Sequence, residues 1–216
     1  MSIRLRSFAL VAAVALSAGS AFAVHYDSVD FFRAINVDNP DAVSRMLAAG
    51  LDPNQLDPNG QPALIAALQA ESPKAAKVLM EAKGVDIDVL NHAGETPLMM
   101  AALKSLPALA ADLVAHGASV NKKGWSPLHY AATGGNADIV KLLLSKGANL
   151  EARSPNGSTP LMMAARYANE GAVDALLAAG ADRSARNDLG MDAAAFAASA
   201  GRDKLAARLK PVAAAN

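Results

Sequence analysis

The chain has 216 residues, 20 basic and 20 acidic side chains, no cysteine and only 4% aromatic residues. The balanced charge argues against a nucleic-acid-binding protein, and the lack of cysteine excludes a disulfide framework. Abundant Ala and Leu favour helices over strands, so we expect an all-α protein that is stabilised by packing.

The first 23 residues have the pattern of an export signal. Arg4 and Arg6 precede an apolar run that is too short to span a bilayer. The Ala-Phe-Ala sequence at 21–23 fits a signal-peptidase site, so we predict cleavage after Ala23. A buried first helix is the alternative interpretation. No cysteine for lipid attachment and no later membrane-spanning run follows, so we expect an exported protein, periplasmic in a Gram-negative cell, with no membrane insertion after cleavage.

Glycines in the remaining chain recur with a period of about 33 residues. They form two series: Gly60, Gly94, Gly124, Gly157 and Gly190, and Gly50, Gly84, Gly117, Gly147 and Gly180. Three glycines of the first series precede related segments: ETPLMMAA at 95–102, WSPLHYAA at 125–132 and STPLMMAA at 158–165. The segments resemble the ankyrin repeat, whose signature is T-P-L-H-x-A. The resemblance covers nearly all of the chain after residue 23.

The local sequence agrees with pairs of helices in each repeat. An inner helix is predicted after each N-cap residue, which is Thr96, Ser126, Thr159 or, in the last copy, Asp192. Outer helices are predicted to begin at Asn39-Pro40, Ser72-Pro73 and Leu106-Pro107, although leucine is a poor cap. Gly117, Gly147 and Gly180 should end outer helices in a left-handed conformation.

The resemblance implies one all-α solenoid of helix-turn-helix units with short β-hairpin or loop fingers. We divide the single domain, residues 24–216, into an N-terminal cap, four repeats and a C-terminal cap. These segments are 24–54, 55–90, 91–120, 121–153, 154–186 and 187–216.

One finger is shorter than the pattern requires. Gly147 and Pro160 are 13 residues apart, but Gly117 and Pro127 are only 10 apart. We therefore expect a stunted finger in which Asn121 both ends one repeat and begins the next.

No residue pattern indicates catalysis, a metal site or a cofactor, so we do not expect an enzyme. The resemblance implies that His129, in the signature position, bonds neighbouring backbone. Met99, Met100, Met162 and Met163 raise one alternative function, a methionine-based copper or redox buffer. Packing between repeats is the simpler role for these side chains.

The resemblance also implies that a partner protein binds the finger tips and the exposed ends of inner helices. Those positions include His92, Glu95, Leu103, Lys104, Lys122, Lys123, Trp125, Thr133, Asn156, Arg166 and Tyr167. Trp125 and Tyr167 are typical interface anchors, and the nearby basic residues indicate a partner with an acidic patch. Alternatively, Trp125 packs on the next hairpin.

We therefore expect a monomeric binding module for another exported protein. It would act as an inhibitor or immunity factor, or as an accessory to an envelope or peroxide-defence enzyme.

Overall fold

The computed structural model describes residues 26–168 and 170–210. The predicted signal segment and its cleavage site lie outside the described residues. Within the described residues, twelve helices follow one another in six consecutive pairs. They are α1 (Ser28–Asn36), α2 (Pro40–Ala48), α3 (Ala63–Gln69), α4 (Pro73–Met80), α5 (Pro97–Leu103), α6 (Pro107–Ala115), α7 (Pro127–Gly134), α8 (Ala137–Ser145), α9 (Pro160–Tyr167), α10 (Glu170–Ala178), α11 (Ala193–Ser199) and α12 (Asp203–Leu209).

The first helix of each pair forms an inner layer, in which α1, α3, α5, α7, α9 and α11 contact one another in chain order. The second helices form an outer layer, in which α2, α4, α6, α8 and α10 also contact in chain order. The fingers between pairs contain an isolated antiparallel bridge, between Leu56 and Pro62. The prediction of an all-α ankyrin-type solenoid is confirmed. Among the described residues, the helices are all too short or too polar to cross a membrane.

The inner helices begin where the cap residues predict. The hydroxyl of Thr96 accepts a hydrogen bond from the backbone N–H of Met99 at 3.2 Å, and proline occupies the first turn. Thr159 and Asp192 accept equivalent bonds at the starts of α9 and α11. Each bond satisfies a backbone donor that the helix itself leaves free.

The outer helix α4 is capped differently from the prediction. Ser72 is buried and its side chain makes no capping bond. Instead, the carboxylate of Asp38, in the preceding helix pair, accepts from the N–H groups of Lys74 and Ala75 at 2.8 and 2.9 Å. The carboxylate accepts from two free donors, and its negative charge interacts favourably with the positive end of the helix dipole, so it takes the place of the serine hydroxyl as the cap. Leu106 makes no side-chain capping bond, as expected.

Glycine is required at two kinds of position. Gly117, Gly147 and Gly180 end outer helices with φ of +89°, +84° and +91°, which confirms the predicted left-handed conformation. Gly134 meets a different constraint, the close approach of α7 to the end of α5. A Cβ atom at Gly134 would lie 2.5 Å from the carbonyl oxygen of Ala102 and 2.8 Å from that of Leu103.

The hydrophobic core runs along the solenoid between the two layers. Each central inner helix contributes a fully buried leucine, Leu98, Leu128 or Leu161, followed by a buried pair of alanines. The outer helices contribute Leu113, Leu143 and Leu176 from the other side. Because alanine has a small side chain, neighbouring inner helices can approach closely.

The finger that precedes α7 lacks the backbone bonds that close its neighbours. In the finger before α5, the N–H of Asn91 donates to the Glu95 carbonyl at 3.1 Å, and the N–H of Gly94 donates to the Asn91 carbonyl at 2.9 Å. The finger before α9 repeats this pattern at Ser154. Residues 121–125, all of them described, contain neither bond.

Asn121 instead ties its repeat to the next one. Its Nδ2 donates to the Gly147 carbonyl at 2.8 Å, and its Oδ1 accepts from the Asn149 N–H at 2.8 Å. Asn54 bonds the Gly84 carbonyl and the Asp86 N–H in the same way, but in a finger of regular length. Of the two roles predicted for Asn121, the side chain fills the one at the end of its repeat, while the backbone bonds that would close the finger are absent from residues 121–125.

Candidate partner-binding surface

A groove beside the inner layer of helices spans three successive helix pairs. It has a volume of about 240 Å³. We call it the central groove, and Glu95, Leu103, Trp125, Tyr130, Thr133 and Met163 line it. These residues come from the finger before α5, the end of α5, the short finger, α7 and α9, so the stacking of repeats creates the groove.

Trp125 is half-buried in this groove. Its ring meets the ring of His129 edge-to-face, with centroids 5.4 Å apart and an interplanar angle of 81°. The indole is therefore held by a side chain of its own repeat and still faces the groove. Such a partly covered aromatic ring can bury further area when a partner binds.

His129 is fully buried and joins two repeats. One ring nitrogen, Nε2, lies 2.9 Å from the carbonyl oxygen of Ser158, so it must carry the proton and donate. The other, Nδ1, therefore accepts from the N–H of Ser126 at 3.2 Å and from its hydroxyl at 2.8 Å. Burial lowers the pKa of His129, which keeps the ring neutral. The backbone-bonding role implied by the resemblance is confirmed.

Glu95 and Tyr130 form a hydrogen-bonded pair inside the groove. The phenol of Tyr130 donates to Glu95 Oε1 at 2.7 Å, and Asn91 Nδ2 donates to Oε2 at 2.8 Å. Burial and the neighbouring carboxylate raise the pKa of Tyr130. Within the described part of the chain, no ion pair involves Glu95.

Lys122 and Lys123 line a separate hollow, which we call the basic depression. Its lining residues are Asn121, Lys122, Lys123, Gly124, Asn149, Glu151, Ala152 and Arg153. Glu151 accepts from the Asp182 N–H, and Arg153 donates to the carbonyls of Gly157 and Arg186. Neither lysine forms an ion pair with any described residue. The depression therefore offers two cations to a partner.

The other predicted contact residues are spread over the molecule. Lys104 pairs with Glu71 at 3.5 Å. Arg166 donates to Ser199 at 3.1 Å, and its guanidinium lies 5.3 Å from the ring centre of the exposed Tyr167.

The last two predicted contact residues lie in fingers. Asn156 shapes its own finger by accepting from the Ser158 N–H at 3.3 Å. His92 is exposed, and its ring lies against Gly60 of the preceding finger. The predicted residues thus do not share one patch: Glu95, Leu103, Trp125 and Thr133 line the groove, and Lys122 and Lys123 line the depression.

Two residues of the groove, Tyr130 and Met163, were missed by the sequence prediction. Both follow the signature position that holds His129 in one repeat and Met162 in another. The position after the signature residue looks like part of the core in a helical pattern, because the residues around it are buried. The available signal was an aromatic residue at a place where other repeats carry methionine.

The methionines in the signature position are engaged in packing. Met99 and Met162 are buried, and their sulfurs accept the N–H groups of Thr96 and Thr159 at 3.5 and 3.3 Å. These contacts mirror the bond from Ser126 to His129 Nδ1. The thioethers therefore reproduce only the bond that His129 accepts at the start of its own helix. They provide no donor for a bond to the next repeat, such as the one from His129 to the Ser158 carbonyl.

Comparison with known proteins identifies the scaffold. A family model described as ankyrin repeats (3 copies) matches residues 31–123, 83–154 and 105–187. The chain belongs to the ankyrin repeat family. Ankyrin repeats are protein–protein interaction modules, typically without enzymatic activity, so this chain carries a scaffold for binding protein partners.

Curated relatives share this ankyrin region. Neurogenic locus notch homolog protein 1 of Homo sapiens is 34% identical over 124 residues, which is 56% of this chain and 5% of the relative. Neurogenic locus notch homolog protein 2 of Homo sapiens is 35% identical over 119 residues, which is 54% of this chain and 5% of the relative. B-cell lymphoma 3 protein homolog of Mus musculus is 33% identical over 126 residues, which is 55% of this chain and 28% of the relative. The similarity thus covers only a small part of these longer proteins.

Proposed function

We propose that this ankyrin repeat protein is exported to the periplasm as a monomer and acts without catalysis, by binding another exported protein. The observation that carries the proposal is the half-buried Trp125 in a groove shared by three repeats, next to two lysines that form no ion pair with any residue of the described ranges. It would act on that partner as an inhibitor or immunity factor, or it would serve as an accessory to an envelope or peroxide-defence enzyme.

The groove suits protein side chains better than a free small molecule. Its volume of about 240 Å³ is below that of typical small-molecule pockets, which begin near ~300 Å³. Trp and Tyr dominate the binding energy of protein interfaces when they lie in such partly enclosed places. Lys122 and Lys123 would meet an acidic patch on the partner and raise the association rate.

Affinity capture from periplasmic extract tests this surface. The purified protein is immobilised beside a variant that combines Trp125→Ala, Lys122→Ala and Lys123→Ala. We expect the native protein to retain a partner that the triple variant loses, while the two proteins melt at similar temperatures. Lys141→Ala with Lys146→Ala is the matched control, because both lysines are exposed on the outer side of the same repeat.

The capture experiment can contradict the proposal in two ways. If the triple variant retains the same partner as the native protein, the surface is wrong. If its melting temperature falls strongly, Trp125 is chiefly a structural residue, and loss of capture then says nothing in favour of binding.

Export is tested separately. Expression in a Gram-negative cell followed by fractionation should place the protein in the periplasm, and N-terminal sequencing should begin at Val24. An uncleaved protein in the cytoplasmic fraction would refute the proposed location without touching the binding surface.

A further inference from the structure

We propose that the central groove receives one cationic side chain of the partner, a lysine or an arginine. This inference deepens the proposed function, on which it rests, by naming the chemistry of the anchoring residue. The groove provides a carboxylate, two aromatic rings and apolar walls, and each of these contributes to recognition of such a side chain.

The carboxylate of Glu95 is the charged group in the groove. Its two oxygens accept hydrogen bonds from the Tyr130 phenol and the Asn91 amide, both uncharged donors. These bonds fix the carboxylate in place but leave its negative charge without a counter-ion among the described residues. A carboxylate has about four acceptor sites, so it can still accept from an ammonium or guanidinium group.

The aromatic rings add a second attraction for a cation. Trp125 and Tyr130 both line the groove with Glu95. A cation near the face of an aromatic ring is attracted by the electron density of the ring, most strongly for tryptophan. Arginine also stacks its planar group on such rings.

The remaining walls suit the aliphatic part of the same side chain. Leu103 and Met163 are apolar, and Met163 adjusts its shape easily. Long basic side chains lay their methylene groups on apolar surface while the charged end finds a polar partner. The volume of about 240 Å³ accommodates one side chain rather than a folded segment.

Other occupants fit less well. An acidic side chain would place a second negative charge beside Glu95, which is unfavourable at short distance. A purely apolar side chain would remove water from the carboxylate without supplying a positive charge. The acidic patch of the partner instead belongs over the basic depression, where Lys122 and Lys123 lie. The partner surface therefore carries a basic residue next to acidic ones.

Fluorescence titration tests the inference directly, because Trp125 is the only tryptophan of the chain. The protein from Val24 onward is titrated with N-acetyl-arginine amide, with its uncharged isostere N-acetyl-citrulline amide, and with N-acetyl-glutamate amide. We expect a saturable fluorescence change with the arginine compound and about tenfold weaker binding of the citrulline compound. Glu95→Gln should reduce that preference to about twofold or less, since the variant keeps an acceptor for Tyr130 but loses the charge.

Several outcomes would overturn the inference. Equal binding of the arginine and citrulline compounds, tighter binding of the glutamate compound, or no saturable change with any of them each excludes a cation site. The comparison among compounds uses the native protein, so it holds even if Glu95→Gln folds poorly. Loss of partner capture by the triple variant together with a failed titration would leave the proposed function standing and reject only the cationic anchor.

Discussion

His129 shows how one side chain can serve two repeats. Its Nδ1 accepts from the start of its own helix, and its Nε2 donates to the Ser158 carbonyl of the next repeat. Met99 and Met162, in the same position of other repeats, reproduce only the first of these bonds. The junction between α7 and α9 therefore has a polar tie that the methionine side chains cannot supply.

This tie makes stability depend on pH. Burial lowers the pKa of His129 below its ordinary value of 6.5, so the unfolded chain binds a proton more readily than the folded one. Stability due to this group is fully present above pH 6.5 and is lost as the pH falls below 6.5 toward the folded-state pKa. Urea unfolding between neutral and mildly acidic pH should show a free energy of unfolding that rises with pH.

His129→Met tests the same residue with a side chain that the fold already uses. The variant should lose the part of the pH dependence that is due to His129. At neutral pH, its free energy of unfolding should be about 0.5–1.5 kcal/mol lower, because the Ser158 carbonyl loses the His129 donor and keeps only the Ser154 N–H at 3.0 Å. An unchanged pH profile in the variant would show that His129 is not the titrating group.

At the scale of the element, the short finger depends on Asn121. Asn121→Ala should lower the free energy of unfolding by about 1–2 kcal/mol, because the bonds to the Gly147 carbonyl and the Asn149 N–H disappear together. Asn121→Asp keeps the acceptor and loses only the donor, so it should cost less. If chemical denaturation finds the two variants equal, the bond to the Asn149 N–H contributes nothing.

At Gly134, which ends α7, the direction in which a substitution changes stability is informative. In an unobstructed helix, replacing glycine by alanine stabilises by about 1 kcal/mol. Here the added Cβ would lie 2.5 Å from the Ala102 carbonyl, so we expect Gly134→Ala to destabilise by about 1–3 kcal/mol. Thermal unfolding measures the difference. Gly171→Ala, at an exposed helical position, is the control and should leave stability unchanged or raise it.

The sequence predicted those features that depend on a few neighbouring residues. The caps at Thr96 and Thr159, the helix-ending glycines and the short finger at Asn121 follow from local spacing. Contacts between residues about one repeat apart could not be predicted, since spacing alone does not show which groups meet. The Asp38 cap on α4 and the bond from Tyr130 to Glu95 are two such contacts. The pairing of Lys104 with Glu71 is another, and it occupies a residue predicted to face a partner.

At the scale of the whole molecule, the principal helix contacts join only members of the same or adjacent pairs. Stability should therefore be local, as expected for a solenoid. Arg202 illustrates this at the C-terminal end: its guanidinium donates to the Ala164 and Ala165 carbonyls at the end of α9, at 3.1 and 2.7 Å.

Arg202→Met should loosen only that end. We expect amide hydrogen exchange in α11 and α12 to become about tenfold faster while exchange in α5 to α8 stays the same. Arg33→Met, which removes an exposed ion pair near the other end, should change little. Faster exchange along the whole chain in the Arg202 variant would show that the repeats unfold as a single cooperative unit.

The regular distance between contacting residues also matters while the chain is being made. The hydrogen bonds between fingers, such as those of Asn54, Asn121 and Glu151, join residues about one repeat apart. A helix pair can therefore acquire its neighbours once the following pair has emerged from the ribosome. Folding can proceed from one end to the other without waiting for distant sequence, which shortens the time during which apolar helix faces are open to aggregation.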